Sequence, residues 1–268
     1  MFLEKEGKLI YSYDGETVCI EAWGKDALRV RATKNRSFTG RDWALEAKDA
    51  HAGEVEIFED PSAKGGAFAN MYEGTDTSYG KITNGKLHAV IDSGSVITFY
   101  HEDGRVLLKE HFRRLRDEES MPLNIMGREY SNGVGDNFRI VARFVARKGE
   151  KIFGMGQYQQ HELDLKGCML ELAQRNSQVS VPFYLSSIGY GFLWNNPGVG
   201  QVMFANNGTE WVTESGKEID YLVIAGDTPA EIEENYMTLT GKPPMMPEYG
   251  MGFWQCSSAT GTRNSFCL

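Results

Sequence analysis

Carboxylates are the commonest chemistry-bearing residues in this chain: 37 Asp and Glu against 28 Lys and Arg in 268 residues. Two carboxylates held at a fixed spacing can act as acid and base. The densest cluster, Asp117, Glu118 and Glu119, lies in a charged stretch and reads as a solvated face. Glu162 and Asp164 are a second pair of the right type for acid–base work, though ordinary solvent exposure accounts for them as well. The five histidines, His51, His88, His101, His111 and His161, form no His-x-x-x-His pair, so no metal site is expected. Ser186 and Ser187 lack a Gly-x-Ser-x-Gly elbow. Gly154-Met155-Gly156 leads into the polar run Gln157-Tyr158-Gln159-Gln160-His161 and not into a helix, which is the wrong setting for a phosphate loop. Cys19, Cys168, Cys256 and Cys267 are scattered without metal-ligand spacing, and a disulfide framework is not expected. No cofactor is implied.

The elements that must carry these residues are mostly strands. Thirty glycines and a 12% aromatic content favour a turn-rich, mainly β protein. Leu9 to Tyr13 alternates, and Asp14-Gly15 is a hairpin signal before Thr17 to Ile20. Strands are also expected at Ala27–Thr33, Lys86–Asp92, Ser95–His101, Val106–Leu108 and Phe138–Phe144. Residues 113 to 137 read as a long charged loop. Val181–Leu185 and Gly191–Trp194 look like buried strands around a Gly189-Tyr190-Gly191 turn, and Ile219–Ile224 is a further strand. Short strands at this spacing predict a β-sandwich. One helix is signalled after Thr228: Pro229 suits the first turn and Glu231 completes a Thr-x-x-Glu capping box. Ile232, Tyr236 and Leu239 form its apolar face, and Gly241 is its expected C-cap. Lys242 to Pro247 is then a stiff linker.

The formal net charge is −9, and no Lys/Arg-rich stretch stands out, so neither nucleic acid nor an anionic membrane is an expected partner. The N-terminus has no apolar signal core and no run approaches 18 apolar residues, which predicts a cytoplasmic location.

Several ordered blocks resemble glycoside hydrolase family 31, within it the bacterial α-xylosidase-like and α-glucosidase-like members. They are Phe153-Gly154-Met155-Gly156-Gln157, Val181-Pro182-Phe183-Tyr184, Gly189 to Asn196, Thr228-Pro229 through Pro243, and Met246-Pro247 to Gln255. The resemblance implies an N-terminal β-sandwich of galactose-mutarotase-like type, residues 1–241. Residues 242–256 would be a linker and the first strand, Gly250 to Gln255, of a (β/α)₈ barrel. In that family both catalytic aspartates lie on the barrel. A barrel needs about 250 residues, and only 12 follow Cys256, so the chain is expected to carry no catalytic residue. The parent enzyme would act on an α-linked oligosaccharide or xyloside. The barrel-facing surface, left exposed, is expected to favour self-association.

The resemblance also implies that a loop of the sandwich reaches the substrate with a Trp-Asn-x-Asp-like motif. Gln174-Arg175-Asn176 occupies that place by its distance from Val181-Pro182-Phe183, with Asn176 standing where the acidic residue is usual. An amide there retains hydrogen-bonding capacity toward sugar hydroxyls; an Asx-type turn is the alternative. Gln157, Tyr158 and Gln159 are weaker candidates, and Trp194 and Trp211 are expected to pack in the core. Residues 257–268 depart from the family pattern. With one choice of codons, a single restored nucleotide turns them into a family-like helix entry, so this tail is expected to be out-of-frame translation. Two other readings are a stand-alone carbohydrate-binding module and an aldose-epimerase-like enzyme. The latter needs paired histidines and an acidic base in a sheet cleft, and no such set is visible.

Overall fold

The computed structural model describes residues 1–46, 49–60, 77–111 and 125–253. The cluster Asp117–Glu119, Trp254 to Cys256 and the 257–268 tail lie outside them. The N-terminal strands are β1 (Phe2–Lys5), β2 (Lys8–Tyr13), β3 (Glu16–Trp23), β4 (Ala27–Thr33) and β5 (Ala50–His51). A second group comprises β6 (Glu54–Phe58), β7 (Tyr79–Asn84), β8 (Leu87–Asp92), β9 (Ile97–His101) and β10 (Val106–Lys109). Then follow β11 (Arg128–Asn132), β12 (Phe138–Phe144), β13 (Ile152–Gln157), β14 (Met169–Leu172) and β15 (Val179–Ser186). The last are β16 (Tyr190–Trp194), β17 (Gly200–Phe204), β18 (Thr209–Gly216) and β19 (Ile219–Ala225), ahead of helix α1 (Pro229–Thr240).

The large sheet runs β1-β2-β3-β4-β19-β16-β15-β13, with β5 paired to β3. Two five-stranded sheets, β10-β9-β8-β7-β6 and β11-β12-β18-β17-β14, complete the fold. One continuous core, including Leu9, Val30, Ile82, Phe99, Phe144, Trp194, Trp211 and Tyr221, draws residues from all three sheets. Trp194 and Trp211 stack there with centroids 5.5 Å apart and no exposure, so neither presents a face to a ligand. Strands β8 and β9 alternate buried and half-buried residues, as strands with one wet face do. Strands β16 and β19 are buried at every residue because the large sheet is covered on both sides. The second cover is α1, whose Ile232 and Leu239 pack with Trp23, Leu193, Leu222 and Ile224. Phe183 stacks on Tyr236 at 3.8 Å.

The helix start follows the expected capping with one variation. Thr228 Oγ1 accepts from the Glu231 N–H (3.2 Å), while the Glu231 carboxylate reaches one residue further back, to the Asp227 N–H (3.0 Å). Gly241 ends the helix with φ +99°.

Three expectations need correction. The 113–137 stretch is not all loop, since it contains β11. That strand is hard to recognise because its inward-facing Arg128 and Tyr130 end in polar groups. The turn before β16 is complete at Gly189 (φ +99°), and Tyr190 already lies in the strand. Gly250 and Met251, expected to open a barrel strand, instead lie in a 3₁₀ turn, Glu248–Met251. A parallel barrel strand takes its hydrogen bonds from neighbouring strands, and among the described residues none pairs with this segment.

Candidate functional site

The resemblance singled out the turn after β14, and its geometry starts at the neighbouring strand. Strand β13 carries three successive left-handed residues: Gly154 (φ +115°), Met155 (φ +70°) and Gly156 (φ +93°). The register against β15 shifts between Gly154 and Gly156, the mark of a bulge. Fully buried Met155 anchors it. A Cβ on Gly156 would lie 2.2 Å from the Val179 carbonyl oxygen, so only glycine fits. The bulge leads the chain into Tyr158, whose hydroxyl donates to the Glu171 carbonyl (3.0 Å) and lies 2.7 Å from the Ser180 hydroxyl. Burial pushes the Tyr158 phenol up from its ordinary pKa, so it stays a protonated strut.

The three proposed substrate residues sit together beside this strut, with unequal freedom. Gln174 is fully engaged: its Nε2 donates to the Ser180 carbonyl (2.7 Å) and its Oε1 accepts from the Ser180 N–H (3.0 Å). The side-chain amide thereby substitutes for a strand neighbour. Arg175 pairs with Glu171 at 2.5 Å, an exposed pair worth about 0–1 kcal/mol. Its carbonyl accepts from the Gln178 N–H (3.1 Å), closing a turn with Asn176 and Ser177 at the tip. Ser177 is left-handed at φ +67°. The Asn176 amide is exposed at the apex and makes no side-chain hydrogen bond among the described residues. Of the three, Asn176 has the freedom to meet a ligand. Gln157 and Gln159 also lie at the surface. Asp164 is occupied by the Ile152 and Lys166 backbone N–H groups.

A second constellation escaped sequence reading. A recess of about 340 Å³ contains Glu16, Glu110, Arg128 and Tyr130. Arg128 grips Glu16 with two bonds (both 2.9 Å), contacts Glu110, and donates to the Ser95 carbonyl (2.8 Å) and hydroxyl (2.6 Å). Tyr130 donates to Glu16 (2.8 Å) and Tyr221 to Glu110 (3.1 Å). Burial alone would lower the Arg128 pKa, but the Glu110 and Glu16 charges outweigh it and hold the guanidinium charged. Burial pushes Glu110 up, and Arg128 opposes that. Retaining hydrolysis requires one free carboxylate nucleophile and one protonated acid. Here both carboxylates are tied to one guanidinium, so the cluster serves as a scaffold. Glu16 and Arg128 are 112 residues apart, and no local pattern links them.

The family model for the glycosyl hydrolase 31 N-terminal galactose mutarotase-like domain matches residues 17–202. An uncharacterized family 31 glucosidase of Pseudescherichia vulneris is 38% identical over 265 residues, covering 95% of this chain and 47% of its own length. An α-xylosidase of Saccharolobus solfataricus is 35% identical over 127 residues, covering 44% of this chain and 17% of its own length. The crystal structure of a GH31 α-xylosidase from a soil metagenome, complexed with xylose, superposes with a TM-score of 0.82 at 40% identity. That match covers 96% of this chain and 37% of the solved one. The chain thus spans less than half the length of these relatives.

Proposed function

The chain belongs to glycosyl hydrolase family 31, by a match to its N-terminal galactose mutarotase-like domain, and from that premise we propose that it is the non-catalytic domain of an enzyme hydrolysing α-xylosidic or α-glucosidic bonds. The observation that carries this reading is the near-complete correspondence of the chain with less than half of a family 31 glucosidase. The captive Glu16–Arg128–Glu110 cluster agrees with it. In this reading the 174–178 turn lies over the substrate and Asn176 hydrogen-bonds a sugar hydroxyl. Gln174 and Arg175 hold the turn in shape. The apolar side chains exposed along 245–253 form a docking strip that promotes self-association when uncovered.

A chimera tests the reading: this chain replaces the corresponding segment of the soil-metagenome α-xylosidase. The chimera is expected to hydrolyse a chromogenic α-xyloside, and Asn176→Ala within it to lower kcat/KM about tenfold, the loss of roughly one hydrogen bond. The isolated chain is expected to give no turnover above buffer. Turnover by the isolated chain would overturn the non-catalytic assignment, and an unchanged kcat/KM would remove Asn176 from the substrate.

A further inference from the structure

A larger recess, about 620 Å³, opens between residues 35–43 and residues 136–137, 196–198 and 215–218. That is within the size range of ligand cavities, about 300–1,000 Å³, and it shares no residue with the 174–178 turn. One wall is the stretch 34–46, which has no strand or helix. Connections of this length without secondary structure are uncommon in compact domains and are often functional.

Buried polar groups fasten this wall. Arg29, with no exposure, donates to the Asp42 carboxylate (2.8 Å) and the Arg41 carbonyl (2.8 Å) while gripping Asp220 (2.9 and 2.6 Å). Asn195 donates to the Asp42 carbonyl (3.1 Å) and accepts from the Ala44 N–H (3.3 Å). Glu218 accepts from the Thr39 N–H and hydroxyl, both at 2.8 Å. The wall so fixed presents Trp43, 42% exposed, with a left-handed φ of +54°. A bulky aromatic in that conformation is a strained outlier, and such strain concentrates where ligands are held.

The groups around Trp43 define the ligand chemistry. The Arg41 guanidinium lies over one face of the Trp43 ring, 5.1 Å from its centre. Arg36 and Arg41 have no carboxylate partner among the described residues. Lys217 and Asp136, paired at 2.7 Å, add a further donor and acceptor, as do Asn137 and Ser215, bonded at 3.0 Å. A flat apolar ring set among donors and acceptors suits a sugar, whose C–H face stacks while its hydroxyls both give and take hydrogen bonds. Acceptor carboxylates inside the recess argue against a simple anion. We propose that this recess binds a neutral α-linked oligosaccharide by stacking on Trp43, the sugar class resting on the glycosidase reading above.

The test is a titration of the intact chain with isomaltotriose, with affinity measured by calorimetry and the place of binding followed through the indole N–H resonances by NMR. The Trp43 signal, assigned from a Trp43→Phe variant, is expected to shift saturably. Trp43→Ala should weaken binding at least about tenfold, Arg41→Gln should weaken it without loss of the native spectrum, and Asn176→Ala should leave it unchanged. Trp43→Phe retains a stacking ring and should still bind, which separates lost contact from lost folding. Unchanged binding in Trp43→Ala, binding abolished by Asn176→Ala alone, or no shift at millimolar sugar would overturn the proposal. The readout involves no catalysis, so an inactive chimera combined with a shifting Trp43 signal would sink the glycosidase reading and not this site.

Discussion

Glu231 shows how one side chain can tie together parts of this fold distant in sequence. Its carboxylate accepts from Lys86 Nζ (2.8 Å) and from the Asp227 N–H (3.0 Å), and Lys86 also holds Asp227 (2.7 Å). The Lys86 bond first, then the backbone N–H, lowers the Glu231 pKa from 4.5 to about 2. A carboxylate depressed in the folded state stabilises the protein above its unfolded pKa and loses that contribution as pH falls through the folded one. The gap in urea midpoint between the wild type and Glu231→Gln should therefore be constant from pH 5 to 8 and close between about pH 4.5 and 2. A gap independent of pH would mean that the side chain contributes packing and not charge. At this scale the Arg128 cluster makes the opposite kind of contribution. Its charges are buried, so removing Arg128 would strand two carboxylates, a loss of about 3–5 kcal/mol for a broken buried pair.

Among the elements, the β13 bulge is the most exacting. Gly156 combines φ +93° with a carbonyl oxygen 2.2 Å from where a Cβ would lie, whereas Gly15 (φ +73°) faces open space. Gly15→Ala should cost roughly 1–2 kcal/mol, the left-handed penalty alone. Gly156→Ala should cost about 3 kcal/mol or more and broaden the NMR signals of residues 174–180. Equal losses in thermal melts would show that β15 yields to the new methyl. Elements whose residue types alternate, or whose caps are explicit, were legible in the sequence. Strands β4 and β12 fall on the expected boundaries, and α1 announced itself through Thr228, Pro229 and Glu231. Strand β11 was not legible, because its sequence, Arg-Glu-Tyr-Ser-Asn, buries charge and phenol instead of aliphatic groups. The same distinction separates the three sites. The Asn176 turn is local, and it became a candidate through the family resemblance, by its distance from Val181. The Arg128 cluster and the Trp43 recess exist only after strands more than a hundred residues apart have been brought side by side.

The molecule as a whole presents one unusually apolar stretch. Among the described residues, Met245, Met246, Tyr249, Met251 and Phe253 are between 61% and 94% exposed. Light scattering on the isolated chain should show an apparent mass rising with concentration, and Met245→Ser with Phe253→Ser should suppress the rise. A constant 30.0 kDa across the series would refute the docking-strip reading. The centre of the large sheet sets a different constraint, one of timing. Strand β4 pairs with β19, and Arg29 grips Asp220 across 191 residues of sequence. A ribosome adding 5–20 residues per second needs roughly 10–40 s to cover that separation. For that interval the completed β1–β4 edge has an open hydrogen-bonding flank. The nascent chain therefore needs protection at β4, and a strand-like peptide matching β19 should be most disruptive before synthesis reaches residue 225.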